Sequence, residues 1–387
     1  SVFGNRSTGK IIAGECHRLQ REGNECVVAY GREAISDPDV REIRIGTKID
    51  YLTHALLTRV RDMQGFCSNR ATRNFLKKLE QEKPDVIWLH NIHGYYLNVE
   101  MLFSWLKAHP EIKKYWTLHD CWAFTGHCAY FTAAKCDKWK SGCYKCAQLR
   151  TYPKTWSIDH SRSNYRRKEK AFTGVKSLTL ITPSQWLAKL AQQSFLSEYP
   201  VRVVHNTVDH EIFCHRPSNF RERYGLENKR IVLGVAVGWE ETKGLPDMLA
   251  LRRVLDDQYV IVLVGTTTNQ IKNLPEGVLG ISRTDNQIQL AEIYSAADVF
   301  VNPTHQDNYP TVNLEARACG TPVITYDVGG SPESAGGKYI VKENEKWNLN
   351  VYQNNDVFFF IDKESDDVKS TIDKVTVSNI NIINAPK

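Results

Sequence analysis

Asp307 and Glu315 stand eight positions apart, in Asp307-Asn308-Tyr309-Pro310-Thr311-Val312-Asn313-Leu314-Glu315. The buried-strand pattern Val299–Asn302 runs into this polar stretch. A helix is predicted to start near Pro310, because proline is favoured in a first turn. The free amides at that helix N terminus, near Thr311 and Val312, form an anion site, since aligned peptide dipoles leave partial positive charge there. Asp307 in the loop can accept hydrogen bonds from sugar hydroxyls, and Glu315 can reach back to a ribose diol. A nucleoside diphosphate sugar satisfies all three features at once. A solvated loop acid and a helix-face acid are the rival reading, which spacing alone does not exclude.

A cation belongs with these groups. Lys243, in Trp239-Glu240-Glu241-Thr242-Lys243-Gly244, follows the strand Ile231–Val237. Departure of a nucleoside diphosphate puts negative charge on phosphate, and a lysine with oriented amides would stabilise it. The alternative is a cation capping a helix. His119, in Thr117-Leu118-His119-Asp120, follows another strand and either faces the same ligand or is structural. His90 and His93 are weaker candidates. The loop Gly4-Asn5-Arg6-Ser7-Thr8-Gly9 reads as a strand-to-helix turn of phosphate-loop type.

Cys128, Cys136, Cys143 and Cys146 fall within nineteen residues, and the last two form a Cys-x-x-Cys knuckle. A structural zinc ion, two disulfides and four reduced thiols all fit, because the first pair is spaced more widely than in a standard finger. The insert follows His119 directly, so it would shape one side of the cleft.

The elements that must position these residues alternate between strand and helix. Strand patterns at 25–30, 86–89, 115–118, 178–182 and 201–205 precede a second series at 231–237, 259–265, 299–302 and 321–326. Such alternation implies parallel sheets covered by helices. The expected fold is α/β, with two Rossmann-like doubly wound parallel-sheet domains facing a cleft, where ligands bind beyond the carboxyl ends of the strands. The expected domains are 1–207, with the cysteine-rich insert at 121–150, then 208–340, then an atypical tail at 341–387. A first strand before Gly4 is expected to be missing and the N-terminal sheet damaged. Weak order is expected over 346–387.

Composition sets the class. The chain has 387 residues, 42% hydrophobic and 24% charged, which suits two or three globular domains. No apolar run approaches the ~18–20 residues of a membrane span, and the opening lacks the apolar core of a signal peptide. A net charge of +6 is too mild to imply nucleic acid. Ten cysteines without an export signal favour thiols or metal ligands over disulfides. Arg162, Arg166, Arg167, Lys168 and Lys170, with Trp156, Tyr165 and Phe172 nearby, form either a solvated helix face or a surface for anionic lipid.

The segment from Asn302 to Ile324, with Glu315-Ala316-Arg317-Ala318-Cys319-Gly320-Thr321-Pro322-Val323-Ile324, resembles the signature of retaining GT-B glycosyltransferases of family 4. Gly329-Gly330-Ser331-Pro332-Glu333 is similar to that family's G-G-x-P-E turn, and Tyr294 to Val301 to its Y-x-x-A-D-x-F-V strand entry. Pro183-Ser184 and His205-Asn206-Thr207-Val208-Asp209 match the domain junction. The cysteine insert resembles one in a polysaccharide-biosynthesis branch of the family.

The resemblance implies that Asp307, where the family usually has Glu, binds donor-sugar hydroxyls, and that Glu315 binds the ribose. It places Asn308, Tyr309, Thr311, Val312 and Glu333 around the donor and Gly9 against the diphosphate. Lys243 would neutralise the leaving group without a metal cofactor, and His119 would face the sugar. Val237 and Gly238 stand where many relatives carry an arginine. The implied activity is transfer from a UDP- or GDP-sugar, with retention, to a saccharide or lipid-linked acceptor. The implied setting is bacterial surface-polysaccharide synthesis, cytoplasmic and peripheral on the inner face of the membrane. The runner-up is a sugar-binding or assembly protein with the same fold and little turnover.

Overall fold

The computed structural model describes residues 2–4, 6–35, 37–156 and 158–341, with the backbone of 349–350 and 359–360. Those last two pairs form short antiparallel strands. The rest of the tail, on which weak order was expected, lies outside the described residues.

The first half carries β1 (Val2–Phe3), β2 (Val27–Tyr30), β3 (Glu33–Ala34), β4 (Arg41–Arg44), β5 (Val86–Leu89), β6 (Lys113–Thr117), β7 (Leu178–Thr182) and β8 (Val201–Val203). Strands β5 to β8 form one parallel sheet in chain order. β1 pairs with β3 and β2 with β4, also in parallel. Two strand residues therefore do precede the glycine turn. They hold because Phe3 is fully buried against Cys16, Val28 and Val40.

Helix Ser161–Phe172 packs on helix Val99–Ala108 through a core where Phe103 lies 4.4 Å from Phe172 and 5.2 Å from Trp116. Arg162, Arg166 and Lys170 are exposed and form the solvated face the sequence allowed, whereas Lys168, grouped with them, is buried. Helical spacing turns Ser161, Tyr165, Lys168 and Phe172 inward, and all four are buried. Arg167 bonds Glu100 at 2.6 Å and lies 3.8 Å from the Phe66 ring centre.

The sequence reading also omitted helix Lys48–Arg61. Thr47 and Asp50 close a capping box at its start. Its outer face presents Ile49, Leu52, Leu56 and Val60, at 75%, 54%, 55% and 37% exposure.

The second half carries β9 (Arg230–Val235), β10 (Tyr259–Val264), β11 (Val278–Ile281), β12 (Val299–Asn302), β13 (Val323–Tyr326) and β14 (Tyr339–Val341). They form one parallel sheet in the order β11-β10-β9-β12-β13-β14. Both faces are covered. Ile231, Leu233 and Val262 pack with Phe300 and Ala316 on one side. Val232, Ile261 and Leu263 pack with Met248 and Leu251 on the other. Burial on both faces explains why these strands read as continuous apolar runs. Strand order reverses between β9 and β12, and the crevice at their carboxyl ends is where such sheets bind ligands.

Candidate functional site

Two loops meet at that crevice. After β9 the chain makes the turn Glu241–Lys243 and enters Gly244 at φ 77°. A Cβ on Gly244 would overlap the Pro303 carbonyl, so only glycine lets this loop lie on the loop after β12. The His305 amide donates to the Thr242 carbonyl at 3.0 Å. Below, Asp247 bonds the His305 ring at 2.9 Å and accepts from the Tyr326 hydroxyl at 2.7 Å. The result is that Lys243 Nζ donates to Asp307 Oδ2 at 2.8 Å. Asp307 Oδ1 accepts from the Asn308 amide at 2.9 Å. The Lys243 side chain is 38% exposed and that of Asp307 21%, so solvent reaches both. Val237, at one of the two positions where the family resemblance implies an arginine, is fully exposed on the same loop.

The helix beside them runs Thr311–Ala318, with Pro310 at its cap rather than in its first turn. Thr311 and Val312 supply its first amides, which have no carbonyl one turn back. Asn313 is buried and bolts the helix down. It accepts from Asn302 at 2.8 Å and donates to Ser334 at 2.9 Å. Glu315 follows on the same helix, accepting from the Tyr294 hydroxyl at 3.1 Å. Burial pushes Glu315 above the usual carboxylate range, opposed by the Tyr294 hydrogen bond and by Lys10 of the first domain.

The first domain closes the other side. Asn308 Oδ1 accepts from Ser184 Oγ at 2.7 Å, and Nδ2 donates to the His119 carbonyl at 3.1 Å. Glu333 accepts from the amides of Gln185 and Trp186 at 2.7 and 2.8 Å, at the N terminus of helix Gln185–Gln192. Its two oxygens thus clamp the domains together. Tyr309 stacks on His205 at 4.9 Å. Gly9 sits where a Cβ would press within 3.3 Å of the Phe3 and Gly4 backbone, and the Gly4 amide donates to the Gly9 carbonyl at 3.1 Å. The structure therefore places Gly9 in the packing of the first helix against β1.

The His119 ring meets His90 Nδ1 at 3.1 Å. Burial pushes His119 down to about 4 and His90 well below the usual imidazole range, so both rings are neutral near neutral pH.

Sequence reasoning missed two groups beside this ring. Asp120 pairs with His93 at 3.1 Å and accepts from the Trp122 amide at 2.9 Å. Burial works to raise Asp120, but His93 and that amide hold it below the usual range. Tyr130, carried by the cysteine insert, lies within electrostatic reach of both Asp307 and Asp120. The signal for Asp120 was its place directly after His119.

The four cysteines of the insert border one small cavity. All ten cysteines of the chain are free thiols. Among the described residues, no three His, Cys, Asp or Glu side chains converge on a common point as a metal site would require.

Comparison with known proteins fits this geometry. A Glycosyltransferase Family 4 model matches residues 11–212, and a Glycosyl transferases group 1 model matches 229–350. The colanic acid biosynthesis glycosyl transferase WcaC of Escherichia coli (strain K12) is 28% identical over 274 residues, 67% of this chain and 65% of that protein. A D-inositol 3-phosphate glycosyltransferase of Actinosynnema mirum is 32% identical over 132 residues, 29% of this chain and 31% of its own. The chain thus spans less than two thirds of the length of these relatives. Among solved structures, sucrose-phosphate synthase of Thermosynechococcus elongatus aligns at TM-score 0.62 and 18% identity, over 89% of this chain and 82% of that one. WaaG, a glycosyltransferase involved in lipopolysaccharide biosynthesis, aligns at TM-score 0.57 and 14% identity, over 89% and 85%. Anabaena Alr3699/HepE in complex with UDP aligns at TM-score 0.56 and 13% identity, over 89% and 85%. These likenesses give the GT-B fold of two Rossmann-like domains. With more than half of its residues matched by one family model, the chain belongs to glycosyltransferase family 4.

Proposed function

We propose that this protein transfers a sugar from a UDP- or GDP-linked donor to a saccharide or lipid-linked saccharide, with retention at the anomeric carbon, in surface-polysaccharide assembly. The observation that carries the reading is the Lys243–Asp307 pair at the strand-order reversal, beside the free amides of Thr311 and Val312. As the bond from sugar to diphosphate breaks, negative charge grows on phosphate and the sugar becomes oxocarbenium-like. Lys243 and the helix amides lie ready to stabilise the first charge, in place of a metal ion. Asp307 holds sugar hydroxyls, and Glu315 the ribose diol. Retention rests on the family resemblance. The names of WcaC and WaaG support a polysaccharide product, and the UDP complex of HepE supports a uridine donor.

The acceptor is expected at a membrane surface. Among the described residues no helix is long and apolar enough to cross a membrane. The ridge Ile49, Leu52, Leu56, Val60 is flanked by exposed Lys48 and Arg61. Trp156, also exposed, is held beside it by a 2.7 Å bond from its amide to the Arg59 carbonyl. An apolar helix face with basic flanks and an aromatic residue suits an anionic interface. The docking surface is therefore placed on this ridge.

Donor turnover by wild type and Asp307→Ala tests the assignment. Wild type should hydrolyse or transfer from at least one nucleotide sugar, and the variant should lose about 100-fold or more, as for a removed transition-state contact. Tight donor binding without turnover in the intact chain would instead support the sugar-binding reading, which the exposed Val237 in place of arginine favours.

A further inference from the structure

Four thiols, an imidazole and a buried ammonium meet at the insert. A cavity of about 20 Å³, room for a single ion or water, is bordered by Cys128, Cys136, Cys143, Cys146, His127 and Trp139. The turn around it is shaped as a knuckle. Gly142 and Lys145 take φ values of 136° and 45°. Lys138 Nζ donates to the carbonyls of Tyr144 and Lys145 at 3.2 and 3.1 Å. The Gly126 amide donates to Cys143 Sγ at 3.1 Å, a bond available only to glycine because a Cβ there would overlap the Ser161 carbonyl.

Two neighbouring polar groups lack the partner their burial calls for. His127 is 2% exposed; its Nδ1 bonds Asp62 at 2.5 Å, while Nε2 has no hydrogen-bond partner. Lys168 is 1% exposed, donates to the carbonyls of Trp122 and Thr125 at 2.8 and 3.0 Å, and lies 3.4 Å from the centre of the Trp122 ring. Among the described residues it makes no ion pair at bonding distance; its charge is felt first by Asp62 and then by Cys143 and Cys128. A buried cation without an anion is costly. One buried anionic cluster would account for both groups.

We propose that Cys128, Cys136, Cys143 and Cys146 bind one zinc ion as thiolates, with Lys168 and the Asp62-oriented His127 facing the cluster's excess negative charge. Four thiols release four protons to solvent, and four thiolates with Zn²⁺ leave a net charge of −2. The side chains do not converge on one point as they stand. Binding would therefore require the Sγ atoms to draw together by moving between staggered χ1 positions. The ion would then join the sulfurs around the packed rings of Phe124, Phe131 and Trp139 and help hold Tyr130 within reach of Asp120 and Asp307.

Metal analysis of the purified full-length chain tests this without any activity assay. One zinc per chain is expected, and cobalt substitution should give strong thiolate-to-cobalt charge-transfer absorption with tetrahedral d–d bands. Cys143→Ser and Cys146→Ser should each hold less than a tenth of the zinc, while Cys214→Ser, outside the insert, keeps it. His127→Ala should retain zinc but yield it to a chelator at about 10–100-fold lower competitor concentration, as expected for a group that supports ligands. Should the cysteine variants not fold, mercurial titration of wild type serves instead, with one zinc released per four thiols blocked. A metal-free chain whose four insert thiols react freely would overturn the proposal, as would two disulfides found in the insert by peptide mapping.

Discussion

Gly329 packs its backbone on the carbonyl of Asp307 so closely that a Cβ would overlap that oxygen, and its φ is 62°. The Gly330 amide donates to the same carbonyl at 3.4 Å. The Gly329-Gly330 turn is thus a template that holds the acid opposite Lys243. Gly329→Ala adds a clash and a positive-φ strain of about 1–3 kcal/mol. The variant should melt earlier and lose at least about tenfold in kcat/KM, read by thermal melts and steady-state kinetics, because Asp307 moves off its position.

Glu315 and Tyr294 separate binding from chemistry. A hydrogen bond to a charged group contributes about 1.5–3 kcal/mol. Glu315→Gln should therefore raise the donor KM about 10–100-fold with a smaller change in kcat. Tyr294→Phe removes only the 3.1 Å bond that orients the carboxylate. Its effect on KM should be smaller and in the same direction.

In the second domain β9, β10, β12 and β13 were legible because they are buried and stand out as apolar runs, whereas the partly buried β11 and the short β14 did not. The Asp307–Glu315 segment was legible because strand, loop and helix follow one another within it. On helix 161–172 the solvated basic face holds for Arg162, Arg166 and Lys170, but a run of basic residues reports charge, not direction, and so did not show that Lys168 points into the core. Helix Lys48–Arg61 has both helical spacing and a capping box, yet its apolar face looks outward. The reach of Lys10 to Glu315 and of Glu333 to Gln185 joins residues from different domains, which spacing along one chain cannot encode.

Acid should destabilise the fold before the carboxylates titrate. His54 Nε2 accepts from the Gly65 amide at 3.1 Å, and Nδ1 bonds Ser68 at 2.8 Å, an arrangement that needs the neutral ring. Burial pushes His54 from 6.5 down to about 4, and His119 likewise. Between pH 6.5 and 4 the unfolded chain binds protons that the native rings do not, so stability falls as pH falls. Each ring contributes about 1.4 kcal/mol per pH unit in that window. Urea midpoints should drop from pH 7 to pH 5, and His54→Gln should flatten the dependence.

The ridge on helix Lys48–Arg61 should bind anionic vesicles. Leu52→Glu and Leu56→Glu should abolish co-sedimentation with phosphatidylglycerol vesicles while leaving the melting temperature within a few degrees of wild type. Equal binding by wild type and variants would remove the ridge from the account.

The central claim is that Lys243, Asp307 and Glu315 grip one nucleotide sugar between the two domains. Thermal melting across a panel of UDP- and GDP-sugars reads this directly, since a ligand of the native state raises the melting temperature. The account predicts a rise with the sugars of one base, reduced in Lys243→Ala and Glu315→Gln. No shift with any nucleotide sugar, or an equal shift in wild type and both variants, would contradict it.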